Sequence, residues 1–319
     1  MKSAAATSGA ISGVMPGRAL TNAPRIGLAL GGGGARGLAH ILVIEVFDEF
    51  GIKPTMIAGT SIGALFGAAY ASGLSAAFIR ASTEETLSRR LDMVRQLFAA
   101  RSDPVQKLLK LLPMRHSLLN PGALLDLVLP TQVAQDFAQL SIPLQLVATD
   151  LGSQSAHVMS SGPLRDAIAA SIAIPVIFQP VQRGGYTLVD GGLVNPLPFD
   201  LLGDNVDITV AIDVTGASAS EVRVSAHPTA MLVAAQSLQI LQKSITIEKL
   251  RSRQPDVYVD VQLDKFNALE FHKMADILKA SAPAKEALKR QLGRILGAET
   301  LPIPVKTIPQ PKSTTRGNT

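Results

Sequence analysis

The fold is decided by residues 25–73, which read RIGLALGGGGARGLAHILVIEVFDEFGIKPTMIAGTSIGALFGAAYASG. A short apolar run at 25–30 ends in four glycines, and residues 38–50 then place apolar side chains at helical spacing. Residues 56–58 form a second buried run, which a glycine-rich turn and a stretch of small residues follow. Strand, helix, strand and helix in this order predict an α/β protein with a parallel sheet that helices cover on both faces.

Further apolar runs extend this pattern along the chain. Three valines at 257, 259 and 261 alternate with polar side chains, which is typical of a half-exposed strand. We predict strands at 144–149, 157–159, 186–189, 208–214 and 257–261, and helices around 164–171 and 268–296.

Composition excludes several classes of protein. The chain has 319 residues, of which 47% are hydrophobic and 17% are charged, so it is not wholly disordered, fibrous or coiled-coil. Since it contains no cysteine, disulfides, thiolate metal sites and cysteine nucleophiles are excluded. No His-x-x-x-His or clustered acid and histidine spacing points to a metal site, and we expect neither a metal nor a cofactor.

Positive charge is concentrated near the end of the chain. The formal net charge is +5, and residues 243–319 hold 14 basic against 8 acidic side chains. Residues 80–116 are also basic, with Leu87, Leu91, Val94 and Phe98 on one helical face. A basic end suits an anionic membrane surface or nucleic acid, with a solvated tail as the alternative. The basic helical segment could lie on lipid headgroups or cap an active site, with an ordinary surface helical hairpin as the alternative.

The sequence contains no recognisable targeting or membrane-spanning segment. Residues 1–22 lack the unbroken apolar stretch of a signal peptide. Residues 54–79 carry no charge and are long enough to span a bilayer, but their glycines, serines and threonines fit a strand, a sharp turn and a small-residue helix in the core. We therefore expect a cytoplasmic protein, with peripheral attachment to a membrane as a separate hypothesis.

The first glycine motif, G-x-G-x-x-G at residues 32–37, lies between a predicted strand and a predicted helix. In dinucleotide-binding folds such glycines admit a pyrophosphate, and an acid near the end of the second strand holds the ribose. The second strand here ends in Ala-Gly-Thr at 58–60, without an acid. The alternatives are an oxyanion hole, in which glycine N–H groups stabilise the charge formed during acyl transfer, and a simple tight turn.

The second glycine motif, Gly59-Thr60-Ser61-Ile62-Gly63, matches G-x-S-x-G. Small residues beside the serine allow a cramped strand-to-helix elbow that exposes its hydroxyl at the edge of a sheet. The position between a predicted strand and a predicted helix is the context that this motif requires. An ordinary N-cap serine is the alternative.

A nucleophilic serine needs a proton acceptor, and Asp190 fits this role better than any histidine. In the residue order of α/β-hydrolases only His227 and His272 qualify, and neither follows a predicted strand. Asp190 ends a predicted strand and precedes Gly191 and Gly192, which allow close approach of other groups. Apolar neighbours would raise its pKa from about 3.9 towards the range of a general base at neutral pH. The alternative is a turn aspartate before glycine.

In combination these motifs resemble the patatin-like phospholipase family, particularly its bacterial branch. The resemblance rests on three blocks in order, at 32–37, 59–63 and 190–192, and on the longer texts LALGGGGARGLAHI and AGTSIGALFGAAYASG. A fourth block, which runs from Ala170-Ser171 to Pro180, resembles the segment before the family's aspartate. Leu42 departs from the pattern, since many bacterial members have glycine there, and residues 80–142 match nothing that can be aligned.

The resemblance implies a three-layer α/β/α fold and a Ser–Asp dyad without a catalytic histidine. It makes Ser61 the nucleophile and Asp190 the proton acceptor, with an oxyanion hole built from the backbone amides of Gly32, Gly33 and Gly34. Arg36 would order the glycine loop and add positive potential. The glycines that support the motifs are Gly37, Gly59, Gly63, Gly191 and Gly192. The implied reaction is acylation of the serine by a phospholipid or lysophospholipid ester, followed by hydrolysis.

The predicted organisation is one domain between two tails. We expect a flexible tail at 1–24, a catalytic core at 25–200 with a helical insertion at about 80–142, a C-terminal part of the same domain at 201–298, and a disordered basic tail with prolines at 299–319. The expected partners are a lipid substrate and a peripheral membrane surface, not nucleic acid, and the oligomeric state stays open. Two rival functions are a non-catalytic lipid-binding or regulatory protein of the same fold and a nucleotide-binding oxidoreductase.

Overall fold

An eight-stranded sheet forms the centre of the computed structural model, which describes residues 24–99, 118–216 and 230–297. The predicted N-terminal tail up to residue 23, the predicted tail at 299–319 and residues 100–117 of the predicted insertion lie outside these ranges. The strands are β1 Ile26–Leu30, β2 Met56–Thr60, β3 Leu144–Asp150, β4 Ser155–Met159, β5 Val181–Arg183, β6 Tyr186–Asp190, β7 Ile208–Asp213 and β8 Val257–Asp260.

Five strands form the parallel part of the sheet, in the order β3-β2-β1-β7-β8. The other three are antiparallel, since β4 and β6 both pair with β3 and β5 pairs with β6. Because β1, β2 and β7 are buried along their whole length, their sequences are mainly apolar and do not alternate with polar residues. The mostly parallel sheet is confirmed, with an antiparallel edge that the sequence did not predict.

Seven α-helices are described within the same ranges. They are α1 His40–Glu49, α2 Ile62–Ala71, α3 Ala76–Ala99, α4 Pro121–Val128, α5 Leu164–Ser171, α6 Ala230–Ser252 and α7 Met274–Ile295. Short 3-10 turns precede α1 and α7, so both helices begin later than predicted, and α6 was not predicted at all. Helix α4 and most of α3 fall within the predicted insertion, and the side chains of Leu91, Val94 and Phe98 lie outside the described residues.

Alternate residues of β1 enter two different cores. Ile26, Leu28 and Leu30 pack into a large core with α1, α2, α5 and α7. Ala29 belongs to a smaller core on the opposite face, which the 3-10 turn Phe199–Asn205 and Leu250 of α6 cover. The three-layer α/β/α arrangement is therefore confirmed, and one of its outer layers is thin.

Candidate active site

Two strands end facing each other beside β3. Strand β2 runs parallel to β3 and pairs Thr60 with Val147, while β6 runs antiparallel and pairs Asp190 with the next residue, Ala148. Both lie along one edge of β3, because β4 occupies the other edge. The carboxyl ends of β2 and β6 therefore meet, which brings Ser61 and Asp190 together from 129 positions apart in the sequence.

Ser61 occupies a strained turn between β2 and α2. Its φ is +55° and its ψ is −121°, a combination that L-residues rarely adopt. A Cβ atom on Gly63 would lie 2.1 Å from the carbonyl oxygen of Leu30, and one on Gly59 would lie 2.7 Å from the carbonyl oxygen of Gly63. The turn therefore closes only with glycine at both positions, which is the physical reason for the G-x-S-x-G spacing.

The hydroxyl of Ser61 donates a hydrogen bond to Oδ2 of Asp190 at 2.6 Å. The second carboxylate oxygen, Oδ1, accepts the N–H of Gly192 at 2.7 Å. Asp190 is only 1% exposed, and this burial raises its pKa to about 6, although the two hydrogen bonds act in the opposite direction. The buried carboxylate is therefore a stronger base than an exposed aspartate.

Backbone contacts hold Asp190 in place. Its N–H donates to the carbonyl oxygen of Ala173 at 2.9 Å, and its own carbonyl oxygen accepts the hydroxyl of Thr149 at 2.8 Å. A Cβ atom on Gly191 would lie 2.2 Å from the carbonyl oxygen of Val147. The glycine after the aspartate is therefore required for β6 to end against β3.

The glycine loop lies against the serine. A Cβ atom on Gly32 would lie 3.4 Å from the Cβ atom of Ser61. The N–H of Gly32 donates to the carbonyl oxygen of Pro196 at 2.9 Å, so the structure does not support its predicted place in an oxyanion hole. Within the described ranges, no hydrogen bond involves the N–H groups of Gly33 and Gly34, so these two amides remain the candidates for the predicted oxyanion hole.

Arg36 is buried and bonds to the glycine loop. Its Nε donates to the carbonyl oxygen of Gly33 at 3.3 Å. Burial lowers its pKa to about 10, against the opposing effect of the carboxylates of Asp213 and Asp264. The guanidinium therefore remains charged at neutral pH while its Nε binds the carbonyl oxygen of Gly33.

His40 bonds to the same loop from α1. Its Nε2 lies 2.9 Å from the carbonyl oxygen of Gly31, which can only accept, so Nε2 carries the proton. Complete burial lowers the pKa of this ring to about 4, and the imidazole is neutral at physiological pH. No histidine in the described ranges is hydrogen-bonded to Ser61 or Asp190, and His227 lies outside them.

An apolar cavity of about 120 Å³ opens beside the serine. Among the described residues that line it, the polar side chains are those of Ser61 and of Thr83 and Thr86 of α3. The apolar wall includes Leu65, Phe66, Leu87, Leu124, Ile174 and Phe178. Such a cavity binds a hydrocarbon group and offers little to a polar one.

Two general features bear on metals and membranes. Across the described parts of the chain, no three or more His, Asp or Glu side chains are grouped so that they could hold a metal ion. None of the helices in those parts combines the length and apolar character of a membrane-spanning helix.

Hydrogen bonds between the loops of the site were not predicted from the sequence. The segment after Asp190 supplies two carbonyl oxygens, because that of Pro196 accepts the N–H of Gly32 and that of Asn195 accepts the hydroxyl of Thr60 at 2.8 Å. Both acceptors are backbone carbonyl groups, for which the sequence holds no side-chain signal. Ser171 was also missed as a contact of Ser61, although it lies in the fourth block.

Comparison with known proteins identifies the family. The family model for patatin-like phospholipases matches residues 28–202, more than half of the chain, and the chain belongs to that family. An "Uncharacterized NTE family protein" of Mycobacterium tuberculosis is 38% identical over 207 residues, which are 64% of this chain and 52% of that protein. Patatin-like phospholipase domain-containing protein 6 of Homo sapiens is 29% identical over 192 residues, which are 59% of this chain and 13% of that protein.

The chain spans about half the length of the mycobacterial relatives it matches, and less of the human one. Among solved structures, VipD from Legionella pneumophila is similar with a TM-score of 0.43 and 14% identity, covering 84% of this chain and 67% of VipD. Membership of the family supports a lipid hydrolase.

Proposed function

We propose that the chain is a serine acyl-ester hydrolase that cleaves fatty acyl esters of phospholipids or lysophospholipids. The observation that carries this proposal is the 2.6 Å hydrogen bond from Ser61 to the buried carboxylate of Asp190 in a member of a lipid hydrolase family. Ser61 is the nucleophile, Asp190 the proton acceptor, and the amides of Gly33 and Gly34 are the oxyanion hole.

In the first half of the reaction the serine becomes acylated. As Oγ of Ser61 attacks the ester carbonyl carbon, its proton passes to Oδ2 of Asp190, and the carbonyl oxygen gains the negative charge that Gly33 and Gly34 bind. The tetrahedral intermediate then collapses, the ester C–O bond breaks, and the leaving alkoxide takes the proton from Asp190.

The second half regenerates the enzyme. Asp190 accepts a proton from a water molecule whose oxygen attacks the acyl carbon, and the same two amides bind the new oxyanion. When the bond to Oγ breaks, Ser61 recovers its proton from Asp190 and the fatty acid leaves. One carboxyl group therefore serves as base and acid in turn, because burial places its pKa at about 6.

The cavity argues for a lipid acyl group as substrate. Its wall is almost wholly apolar and includes Ser61 itself, so an alkyl chain that fills it places its ester carbonyl beside the hydroxyl. Among the described residues of this wall no side chain is charged, which favours the hydrolase over a nucleotide-binding oxidoreductase. Peripheral attachment to an anionic membrane surface is a separate part of the proposal, which rests on the basic segments of the sequence.

A serine-directed fluorophosphonate probe tests the nucleophile. We expect wild-type protein to be labelled and Ser61→Ala to remain unlabelled, while Ser72→Ala, at the end of α2, is labelled like wild type. No labelling of the wild type, or equal labelling of Ser61→Ala, would remove the enzyme and leave a non-catalytic lipid-binding protein of the same fold.

Turnover of purified lipids tests the base and the substrate class. Release of fatty acid from a panel of phospholipids and lysophospholipids should fall by about 10²–10⁴-fold in Asp190→Asn. Asp150→Asn is the matched control, since Asp150 also ends a strand and accepts the N–H two residues on, that of Gly152 at 3.2 Å. Equal loss in both variants, or no fatty acid from any lipid, would contradict the proposal.

A further inference from the structure

Helix α5 ends between the two residues of the dyad. The hydroxyl of Ser171, its last residue, is fully buried, accepts the N–H of Ser61 at 2.9 Å and donates to the carbonyl oxygen of Val147 at 2.6 Å. Two residues later, the carbonyl oxygen of Ala173 accepts the N–H of Asp190 at 2.9 Å. One short segment therefore anchors the backbone amides of both dyad residues.

The hydroxyl of Ser171 stands where a backbone hydrogen bond of the sheet would otherwise form. In the β2–β3 ladder the N–H of Ile57 donates to the carbonyl oxygen of Pro143 at 2.9 Å, and in a parallel pair this pattern recurs every second residue. The direct partner of the N–H of Ser61 would thus be the carbonyl oxygen of Val147. The hydroxyl of Ser171 lies between these two groups. Ser61 is also the residue at which the chain takes a φ of +55° and leaves the sheet.

We propose that Ser171 is a positioning residue for the hydrolysis. Its hydroxyl spaces Ser61 away from β3 and, together with the carbonyl group of Ala173, sets the separation at which the Ser61 hydroxyl reaches Asp190. The kinetic consequence rests on the proposed function, whereas the anchoring of the Ser61 amide does not.

Removal of the Ser171 hydroxyl leaves the N–H of Ser61 without its acceptor. In Ser171→Ala the N–H of Ser61 would be buried without an acceptor, an arrangement that folded proteins avoid. The strained elbow then loses its anchor to α5, and the Ser61 hydroxyl moves away from Asp190. Misplacement of a reacting group by about 1 Å can slow catalysis by about 10²-fold.

The test compares Ser171→Ala with wild type in the full chain by two measurements. Hydrogen exchange at the amide of Ser61, followed by mass spectrometry, should be about 10-fold faster in the variant, because its acceptor is lost. The rate of fluorophosphonate labelling and kcat should fall by about 10²-fold, with KM nearly unchanged, since Ser171 is absent from the wall of the apolar cavity.

Ser72 provides the matched control. Its hydroxyl also donates to a backbone carbonyl oxygen, that of Ala68 at 2.7 Å, and accepts a backbone N–H, that of Ala134 at 3.0 Å. Both Ser72→Ala and Ser171→Ala should lower thermal stability, because each loses a hydroxyl bridge between backbone groups. Ser72→Ala should leave the labelling rate of Ser61 unchanged. The comparison separates loss of a hydroxyl bridge from loss of the position of the nucleophile.

A second pair of variants covers the case in which Ser171→Ala does not fold. Ser171→Thr keeps the hydroxyl and Ser171→Cys replaces it with a weaker donor and acceptor, so labelling should be faster in the threonine variant. Wild-type exchange and labelling rates in Ser171→Ala, or a cysteine variant as fast as the threonine one, would overturn the proposal. If the wild type itself is not labelled, the proposed function and the kinetic part fail together, and exchange at Ser61 alone decides the anchor.

Discussion

Asp190 and Asp150 end neighbouring strands and form similar turns, but their pKa values are shifted in opposite directions. Asp190 and Asp150 each accept the N–H of a glycine two residues on. Burial raises the pKa of Asp190 to about 6, whereas the hydroxyl and N–H of Ser153 hold the pKa of Asp150 below its usual range. The difference is decided by the surroundings of each carboxyl group, and only Asp190 is suited to accept a proton near neutral pH.

This pKa predicts how activity depends on pH. Asp190 accepts a proton only as the carboxylate, so kcat/KM and the labelling rate of Ser61 should rise as pH increases through about 6 and then level off. The measurement is the labelling rate between pH 4 and 8, with circular dichroism to confirm that the protein stays folded. A midpoint near pH 4 would show that burial does not set the strength of this base.

The same shift predicts a pH-dependent cost in stability. The pKa of Asp190 is about 6 in the folded protein and about 4 in the unfolded chain, so the carboxylate destabilises the fold above pH 6 and not below pH 4. Relative to wild type, the free energy of unfolding of Asp190→Asn should therefore increase by up to about 3 kcal/mol between pH 4 and pH 8.

Urea unfolding at several pH values measures this difference, and Asp150→Asn serves as the control of opposite sign. Because the pKa of Asp150 lies below its usual range, its carboxylate stabilises the fold above the unfolded pKa, and the asparagine variant should lose stability at neutral pH. A pH-independent difference for Asp190→Asn would contradict the prediction.

Among the elements, α2 approaches the sheet more closely than a side chain would permit. Gly63 lies in its first turn, where a Cβ atom would be 2.1 Å from the carbonyl oxygen of Leu30 in β1. The close contact puts the first turn of α2, and the serine before it, directly on the carboxyl end of the sheet. The glycine of the motif thus determines how the helix packs as well as how the chain turns.

Gly63→Ala should therefore destabilise the fold, although alanine is the better helix former. Steric overlap with backbone atoms in a packed core costs about 1–3 kcal/mol or more. Gly293 in α7 is the matched control, since it is also helical and a Cβ atom there meets nothing within 4 Å. Gly293→Ala should stabilise the protein by about 0.5–1 kcal/mol. Thermal unfolding of both variants measures the contrast, and a stabilised Gly63→Ala would contradict the packing argument.

For the whole molecule, tertiary structure neutralises part of the basic surplus. Residues 243–319 carry the excess of positive charge, and α7 holds several of these side chains. Lys285 forms ion pairs with Glu45 and Glu49 of α1 at 2.7 Å each, and Lys289 pairs with Glu49 at 2.5 Å. Less charge is therefore available to attract a membrane than the sequence suggests.

Membrane attachment should consequently be weak and sensitive to salt. We expect flotation with anionic vesicles at low ionic strength, and release as added salt shortens the Debye length to about 8 Å at physiological ionic strength. Vesicles of zwitterionic lipid are the control and should bind little. Absence of co-migration with anionic vesicles at low salt would end the hypothesis of peripheral attachment.

Sequence by itself determined the local features of this protein. The strands and helices that flank both glycine motifs, and the sharp turn at Ser61, follow from apolar periodicity and from glycines that no other residue can replace, as at Gly59 and Gly63. These are short-range effects, so neighbouring residues contain the information. Helix α6 escaped prediction, because much of its apolar surface faces outwards and leaves no clear periodic pattern.

Only the tertiary structure decided how these features combine. The antiparallel pairing of β6 with β3 brings Asp190 to Ser61. Burial of the carboxylate in the folded protein raises its pKa. The carbonyl oxygen of Pro196 accepts the N–H of Gly32, which removes that amide from the predicted oxyanion hole. The position of the Ser171 hydroxyl between β2 and β3 is likewise decided only by the tertiary structure. Each of these features depends on groups that are far apart in the chain. Strand order and packing set the distances between these groups and their desolvation, and no local sequence pattern encodes strand order or packing.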